Sequence, residues 1–592
     1  MPLEVNRHVE RLSGYLPFDA DTSQLFQEYV EPSSDHLSTD ALRYVSDLLG
    51  RDACRLIVLT GDAGHGKTHL CFRLLVAHGM SETEAHTAIR TQSDGSVDLA
   101  STQAGRSLRI VKDLSDFTTD ASALLEDAIT AEGRATVICA NEGRLRKAIQ
   151  DGAPELDLIR RTLEEGGRSG RTTLDNETFV LNLNFQSVAA SGGGSLTAQL
   201  LRGWAQDQRK WRSCQSCDAR PVCPIFENHR LLGISPEAPA RRDRFDGLLR
   251  LVERTGTVVT IRELLIVVSL ALTGGLRCQD VHRRYESGRA RRDWQFEHLF
   301  HQAMFGAGLK PRDKARVRLL RGLEMLDPAA VASRPVDDSL SPVDDDERGW
   351  FLPSVPTVDE PSARTRSQFR RDAGRQHRLI AFLRRRSLFN EATETPPGSS
   401  LGVRTGMRYA STFDNVVESS LDEPARVALR DRIIAGLEAI QGVRRAPQAN
   451  FLVVDPAFTS HRSSASVVAR QLAGSRIDFM SQRRWWDQLG LNAPELTRGL
   501  DWSDRSIFVR FSEGPEESSV HLELDLLLFE LVLRYGEGLS AREHFHADLR
   551  KLSSGLAALA TASDEGEITV LVQGERRKLS IDVGDRIRAV DG

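Results

Sequence analysis

Eight residues of the chain, GDAGHGKT at Gly61–Thr68, have a spacing that can bind phosphate. They fit the pattern G-x-x-x-x-G-K-[ST], whose glycines let backbone N–H groups approach an anion closely. In this pattern Lys67 would reach the β- and γ-phosphates, and the Thr68 hydroxyl would ligate Mg²⁺. A chance glycine loop is the alternative. We predict a binding site for ATP and Mg²⁺ formed by Gly61, Asp62, Ala63, Gly64, His65, Gly66, Lys67, Thr68 and His69.

Two acidic residues follow a strand further along the chain. The segment SLRIVKDLSDF, Ser107–Phe117, predicts a short strand that ends at Asp113. A P-loop NTPase needs a carboxylate near its bound Mg²⁺, commonly from a neighbouring strand. We predict Asp113 in that role and Asp116, three residues later, as a second acid. The alternative is a solvated turn in which neither carboxylate takes part in chemistry.

Asn141 and Glu142 come directly after another predicted strand, Ala135–Ala140. Ligands of open parallel sheets bind outside the carboxyl ends of the strands. Asn141 could there orient the attacking water or touch the γ-phosphate, and Glu142 could polarise the water as a general base. The alternative is an Asn/Gly helix cap or turn.

A cysteine cluster indicates a metal centre. Cys214, Cys217 and Cys223 lie within ten residues, and a C-x₂-C pair plus a third thiolate supplies three ligands of a structural Zn²⁺ site. Cys278 is the predicted fourth ligand, and His229 is the local alternative. An iron–sulfur cluster is the alternative metal centre, and buried structural thiols without a metal are the remaining interpretation.

Composition narrows the class of protein. The chain has 592 residues, of which 27% are charged, and a net charge of −5, so any nucleic-acid contact requires a local basic patch. Its longest apolar stretch, Leu264–Leu272, is shorter than the roughly 20 residues that cross a bilayer. The N-terminus is charged where a signal peptide would be apolar. We predict a cytoplasmic protein without a membrane contact, whose cysteines stay reduced.

The elements that would position these residues predict an α/β core. Strands at Leu56–Thr60, Ser107–Asp113, Ala135–Ala140 and Thr178–Phe185 would form a parallel sheet, and two helices around a turn are expected within Arg244–Leu272. A further core strand should lie between Met80 and Ser107, where the sequence is polar and turn-rich. That segment is either an insertion or a sign of a reduced sheet.

The second half of the chain predicts a mixed α+β region for binding or assembly. Strands are expected at NFLVVDP and RSIFVRF, a strand or long helix at HLELDLLLFELVLRYGEG, and a β-hairpin that turns at Gly574. The predicted domains are an N-terminal helical segment, an ATPase core, the cysteine insertion with the lid, an acidic linker and the C-terminal region. Their predicted boundaries are 1–50, 51–190, 191–335, 336–363 and 364–592.

An arginine-rich segment follows the acidic linker. Arg364–Phe389 contains a single acid, Asp372, and we predict that Arg364–Arg386 contacts the phosphates of double-stranded DNA. A solvated face paired with the acidic linker is the alternative. The predicted helix would bury Phe369, Leu379, Ile380, Phe382 and Leu383. It would leave outward Arg370, Arg371, Arg375, Arg378, Arg385 and Arg386.

The loop Gly61–Thr68, the strand end ANEG and the phrase GTVVTIREL together resemble an AAA+ ATPase core with a helical lid. That resemblance implies that Asn141 acts as sensor 1 and that Arg262, in the lid phrase, touches the γ-phosphate as sensor 2. If the protein is a homo-oligomeric ring, the resemblance also implies an arginine finger that reaches the neighbouring subunit's nucleotide. Candidates for that finger are Arg160, Arg161, Arg168 and Arg171.

With the cysteine cluster and the mixed C-terminal region added, the chain is similar to a group of prokaryotic defence ATPases. The group is the F subunits of DNA-phosphorothioation-dependent restriction systems. This resemblance implies an ATPase subunit of a multi-protein complex that acts on invading DNA lacking a protective modification. Two alternatives remain open at this point: a signalling or assembly switch that touches no nucleic acid, and a remodeller of protein partners.

Overall fold

The computed structural model describes the chain in ranges separated by gaps. The described residues are 3–18, 37–91, 96–99, 105–117, 121–150, 154–169, 173, 175–190, 194–287, 292–332, 373–390, 397–418, 420–441, 451–454, 465–468, 470–488, 499–512, 520–539, 552, 556, 567–572, 575–582 and 586–590. The predicted acidic linker, 336–363, lies outside them. The chain divides into two compact units, which consist of 1–253, 257–397 and 486–503, and of 254–256, 398–485 and 504–592. The domain boundaries expected from the sequence stay predictions.

The first unit contains a five-stranded sheet with the order β2-β3-β4-β1-β5. Strand β1 pairs in parallel with β4 and β5, and β3 pairs in parallel with β4. The predicted α/β class is therefore confirmed, and the sheet is mostly parallel. The strands are β1 (Leu56–Thr60), β2 (Ser96–Leu99), β3 (Ser107–Val111), β4 (Arg134–Cys139) and β5 (Thr178–Asn182).

Strand β2 corrects the expectation of a wholly parallel sheet. It lies in the polar segment between Met80 and Ser107 and pairs antiparallel with β3, with Val97 opposite Ile110. Only four residues long, β2 is the edge strand of the sheet. An edge strand pairs with a neighbour on one side only. A short strand within a polar segment can therefore occupy this position.

Helices form most of the rest of the first unit. They are α1 (Arg7–Ser13), α2 (Asp40–Leu49), α3 (Lys67–Ala77), α4 (Glu82–Thr91), α5 (Ala121–Thr130), α6 (Glu142–Gln150), α7 (Asp157–Ser169), α8 (Leu196–Leu201), α9 (Arg212–Gln215), α10 (Pro224–His229), α11 (Ala238–Arg254), α12 (Ile261–Thr273), α13 (Cys278–Glu286), α14 (Phe300–Ala303), α15 (Pro311–Ala315), α16 (Arg318–Met325) and α17 (Ala373–Asn390). The two helices expected within Arg244–Leu272 are present as α11 and α12.

A buried apolar cluster fixes the sheet against its helices. Val58 of β1, Ile138 of β4 and Val180 of β5 are buried together with Leu125 of α5 and Leu145 of α6. Every residue of β1 is buried, as expected for a central strand of a parallel sheet covered on both faces. This packing holds the carboxyl ends of β1, β3 and β4 at one edge of the sheet, where the candidate site lies.

The stretch Ile261–Glu286 is long and apolar enough, among the described residues, to cross a membrane by length and composition. It comprises α12, the turn after it and α13, and 78% of its apolar window is buried inside the protein. Buried core helices meet the same criteria of length and composition.

The second unit contains antiparallel strands. They form sheets with the orders β11-β10-β9, β14-β13-β12-β7 and β6-β8. The strands expected at NFLVVDP and RSIFVRF are confirmed as β6 and β10, and the C-terminal hairpin is confirmed as β12 with β13, although Gly574 is outside the described residues. The strands are β6 (Phe451–Val454), β7 (Ala465–Val468), β8 (Arg470–Ala473), β9 (Ile477–Ser481), β10 (Ser506–Phe511), β11 (Val520–Asp525), β12 (Glu567–Val572), β13 (Glu575–Asp582) and β14 (Arg586–Val590).

Two helices of the second unit pack closely on each other, α20 and α22. A Cβ atom at Gly436 of α20 would lie 2.0 Å from the carbonyl oxygen of Val532 in α22, so only glycine allows this approach. A strand or a long helix was expected at HLELDLLLFELVLRYGEG. This stretch forms both, first β11 and then α22. The helices outside the first unit's list are α18 (Pro397–Arg404), α19 (Ala410–Val417), α20 (Glu423–Ile440), α21 (Gln482–Gln488) and α22 (Leu526–Gly536).

Candidate nucleotide site and cysteine cluster

The glycine-rich loop, Gly61–Thr68, connects β1 to α3. Gly61, Gly64 and Gly66 have φ angles of 132°, 103° and 81°, which residues other than glycine rarely adopt. Gly66 precedes the first residue of α3, so Lys67 and Thr68 occupy the first turn of that helix. Backbone N–H groups at a helix N-terminus favour an anion. A strand, a glycine-rich loop and a helix thus follow one another at these positions.

Lys67 joins the loop to the neighbouring strand. Its Nζ donates hydrogen bonds to the carbonyl oxygens of Gly61 at 2.6 Å and Asp62 at 3.0 Å, and to Asn141 Oδ1 at 3.1 Å. Asn141 follows β4, which lies beside β1 in the sheet. Two residues that the sequence analysis placed in the site, 74 positions apart, are therefore in direct contact.

The charges of two further predicted residues, Asp113 and Arg262, act on the Lys67 ammonium. Burial lowers the pKa of the Lys67 ammonium, the charges of Asp113 and Asp62 oppose that shift, and the guanidinium of Arg262 adds to it. Asp113 is the N-cap of a 3₁₀ turn at Leu114–Asp116, and its carboxylate accepts a hydrogen bond from the Ser115 N–H at 2.9 Å. Asp116, at the end of that turn, is exposed.

Glu142 is the first residue of α6, and its carboxylate is engaged on that helix. Arg146 donates to Glu142 Oε1 from Nε at 3.0 Å and from Nη2 at 2.7 Å. The Glu142 side chain is 34% exposed, so this is a partly solvated pair between successive turns. A role for Glu142 in polarising water would require its release from Arg146.

The N-terminus of helix α12 contacts the glycine-rich loop. The Arg262 N–H donates to the Gly64 carbonyl oxygen at 3.0 Å. A Cβ atom at Gly64 would lie 3.1 Å from both Arg262 Cβ and Thr260 Oγ1. Thr260 and Glu263 form a reciprocal capping box that fixes this end of the helix. The predicted lid residue Arg262 is thus held against the loop by backbone contacts.

Two side chains that the sequence analysis missed also hold the loop. Asn184, in a 3₁₀ turn after β5, accepts a hydrogen bond from the Asp62 N–H at 2.8 Å. Arg318 Nη1 lies 3.2 Å from Asp62 Oδ2, and the Arg318 N–H donates to Glu263 Oε1 at 2.7 Å. Asn184 could have been found by the argument used for Asn141, because both asparagines follow a strand that pairs with β1. Arg318 carries no such signal.

The remaining loop and helix residues are placed as follows. His65 is buried within the loop, and the His69 ring in α3 lies 6.1 Å from the Phe72 ring. Of the arginine-finger candidates, Arg160 bonds to Asp157 on its own helix at 2.6 Å. Arg171 is outside the described residues.

Two of the four predicted cysteine ligands share a hydrogen-bond partner in the first unit. Asn6 donates from its backbone N–H to Cys278 Sγ at 3.5 Å and from its side-chain Nδ2 to Cys214 Sγ at 3.1 Å. Burial raises the pKa of the Cys223 and Cys278 thiols to about 12, and it also raises that of Cys214. Within the described ranges, no group of three or more His, Cys, Asp and Glu side chains is arranged so that it could hold a metal ion.

His229 has a different environment from the cysteines. Its ring stacks on Trp211 with centroids 4.4 Å apart, and its Nδ1 lies 2.9 Å from the Ala205 carbonyl oxygen. Burial lowers the pKa of His229 to about 4, so the ring is neutral at physiological pH. This imidazole therefore contributes to packing in the first unit, where it stacks on Trp211.

The arginine-rich segment departs from the prediction. Arg364–Asp372 lies outside the described residues, and the rest forms α17. Phe382 and Leu383 are buried as expected, but Arg386 is also buried, and Arg385 donates to Asp327 Oδ1 at 2.9 Å and to Gln302 Oε1 at 2.8 Å. The prediction that Arg385 and Arg386 point outward is wrong, since Arg386 is buried and the Arg385 guanidinium is engaged by Asp327 and Gln302.

No protein-family model, no curated protein and no solved structure matches this chain. Assignments of function therefore depend on the residues and on the geometry just described.

Proposed function

We propose that the first unit binds and hydrolyses ATP. The observation that carries the proposal is the position of Lys67, whose ammonium bonds to the glycine-rich loop and to Asn141 at the end of the adjacent strand. A cation held where two strand ends and a helix N-terminus meet can neutralise charge that develops on a transferred phosphoryl group. Arg262, at the start of α12, supplies a second positive charge at the same loop.

The groups around the loop also suit Mg²⁺. This ion prefers oxygen ligands and is commonly held by one or two protein oxygens together with substrate phosphates. The Thr68 hydroxyl and the Asp113 carboxylate offer such oxygens, and Asp113 is near enough to influence the Lys67 ammonium. When bound, the ion would supply charge stabilisation at the phosphates. Asn141 is proposed to orient the attacking water, and Lys67 to hold the β- and γ-phosphates.

The substitution Lys67→Ala tests this proposal. We expect ATP turnover by the purified full-length protein to fall by about 100-fold or more, because a pre-positioned charge at the phosphates is lost. The matched control is Lys147→Ala, since Lys147 is an exposed lysine on α6. Undiminished turnover in the Lys67 variant would overturn the proposal, and unchanged circular dichroism and melting temperature would show that the fold is retained.

We further propose that ATP turnover serves a DNA-directed defence complex with other protein subunits. Support for this comes from the resemblance of the loop, lid and cysteine motifs to such ATPases, and from the arginines of Arg364–Arg378. Phosphate contacts by arginine are sequence-independent and weaken steeply with salt. Homo-oligomerisation, with an arginine finger between subunits, belongs to the same proposal.

One observation favours the alternative, a signalling or assembly switch that acts on protein partners. Arg385 bonds to Asp327 and Gln302, and Arg384 donates to the Ala329 carbonyl oxygen at 2.8 Å, so these guanidinium groups are engaged within the protein. The discriminating measurement is ATP turnover and binding with duplex DNA at low salt. Stimulation that disappears as salt is raised supports the DNA role, whereas unchanged turnover and no binding support the switch.

A further inference from the structure

The glycine-rich loop carries an acid where a nucleoside triphosphate needs positive charge. Asp62 is the second residue of the loop, and it is exposed. Its backbone carbonyl oxygen accepts a hydrogen bond from Lys67 Nζ at 3.0 Å, so its carboxylate belongs to the same short stretch as the candidate phosphate-binding cation. A carboxylate and a polyphosphate at close range repel each other. The charge of Asp62 therefore opposes triphosphate binding unless another group compensates it.

Arg318 supplies a compensating charge from a distant part of the chain. It is the first residue of α16, and its Nη1 lies 3.2 Å from Asp62 Oδ2. The two side chains are 43% and 47% exposed, so solvent screens the pair and its contribution to the stability of the fold is small. Such a pair can still influence a highly charged ligand bound beside it, because the field of nearby charges acts on the ligand.

Arg318 is also fixed against the start of α12. Its N–H donates to Glu263 Oε1 at 2.7 Å, and its Nε lies 3.6 Å from the same oxygen. The other carboxylate oxygen, Glu263 Oε2, accepts from the Thr260 N–H at 3.2 Å. Glu263 is buried, so the junction of α12 and α16 is shielded from water. The guanidinium of Arg318 thus reaches the loop from a backbone that is held in place.

The helices around this junction pack closely on each other and on the loop. A Cβ atom at Gly322 of α16 would lie 2.5 Å from Val252 Cγ1 of α11. A Cβ atom at Gly66 would lie 3.1 Å from Ile261 Cδ1 of α12. The loop therefore meets α12 through its glycines and α16 through the carboxylate of Asp62.

We propose that Arg318 is a positioning residue of the nucleotide site, which neutralises Asp62 and holds the loop against α16 when a triphosphate binds. This inference deepens the proposed ATP site and rests on it. Arg318 acts through Asp62 and not by contact with a phosphate. Its loss weakens the ground state and the transition state alike, since the phosphates of both lie beside the same loop. A uniform loss of binding raises KM and leaves kcat nearly unchanged.

Steady-state ATP hydrolysis by the full-length protein with Arg318→Ala tests the inference. We expect KM for ATP to rise by about 5- to 10-fold and kcat to stay within about twofold, because an uncompensated charge weakens binding uniformly. Arg321→Ala is the matched control, since Arg321 is an exposed arginine one turn further along α16, and it should change neither value. Arg318→Lys keeps the positive charge and should recover most of the affinity.

An unchanged KM in Arg318→Ala, in a protein whose turnover requires Lys67, would overturn the role of Arg318 and leave the ATP site standing. Turnover that is indifferent to Lys67→Ala would instead overturn the ATP site and this inference with it. The two failures are thus distinguishable.

A double-mutant cycle separates action through Asp62 from direct contact with the ligand. Asp62→Asn removes the negative charge, so its KM should be no higher than that of the wild type. Addition of Arg318→Ala to Asp62→Asn should then raise KM by less than about twofold, because the two residues act as one unit. If the double variant loses as much affinity as Arg318→Ala does alone, the positioning role is wrong. Asp62→Asn leaves α16 unaltered, so a raised KM in that variant would contradict the charge argument even if Arg318→Ala does not fold.

Discussion

The sequence predicts phosphate binding both for the glycine-rich loop and for the arginine-rich helix α17, but the basic side chains of the two regions have different surroundings in the structure. In the loop, Lys67 and Asn141 meet at 3.1 Å, and Asp113 and Arg262 are near enough to influence the same ammonium. In α17, Arg385 faces Asp327 inside the unit instead of solvent. The difference teaches that spacing which fixes a backbone conformation is a stronger signal than a local excess of charge.

The physical reason is the range of each signal. Glycines at fixed spacing permit the positive φ angles that form a loop before a helix, and this conformation is set within a few residues. An arginine has a long apolar stem and a charged end, so it can cover a protein surface, point to solvent or pair with a buried acid. Which of these occurs depends on residues elsewhere in the chain.

The largest effect that would sharpen this comparison is expected for Arg385→Ala. The side chains of Arg385 and Asp327 are 15% and 11% exposed, so removal of the cation leaves a mostly buried carboxylate without its ionic partner. We expect the free energy of unfolding to fall by about 3–5 kcal/mol in urea denaturation. Arg312→Ala is the control, because the Arg312 side chain is 77% exposed and its loss should cost less than about 1 kcal/mol. Equal losses in the two variants would show that the buried pair of Arg385 and Asp327 does not stabilise the fold more than an exposed pair does.

An intermediate effect is expected for Gly64→Ala. The new Cβ would meet Thr260 Oγ1 and Arg262 Cβ at 3.1 Å, so the start of α12 must move away from the loop. Gly79→Ala is a closely matched control, because Gly79 has the same φ of 103° but no atom within 4 Å of the added Cβ. Both changes carry backbone strain of about 1–3 kcal/mol, and only Gly64→Ala should also weaken ATP binding measured by calorimetry. Similar ATP affinities in both variants would show that contact between α12 and the loop does not matter for binding.

The smallest effect is expected for Arg146→Ala, next to the candidate site. Arg146 pairs with Glu142 across one turn of α6, and its side chain is 47% exposed. Loss of such a pair should lower the free energy of unfolding by about 0.3–0.5 kcal/mol and leave ATP turnover within about twofold. A large fall in turnover would instead place this arginine in the catalytic machinery and weaken the contrast drawn with α17.

Much of the first unit could be predicted from local pattern. The strand before the loop, the helix after it, α2 and the pair α11 and α12 follow from apolar spacing and helix caps, which act over a few residues. The antiparallel strand β2 could not be predicted, because it has only four residues within a polar, turn-rich segment and its position depends on pairing with β3. Likewise, β11 and α22 share one apolar stretch, and only packing divides it into strand and helix.

The sequence by itself determined which residues could do chemistry. The order and spacing of Gly61–Thr68 specify a phosphate-type loop, and the spacing of Cys214, Cys217 and Cys223 specifies a possible metal cluster. The tertiary structure decided which distant residues complete them. Arg318 reaches Asp62 across 256 positions, and Asn6 reaches Cys278 across 272. Contacts of that separation depend on how the whole core packs, and no local pattern encodes them.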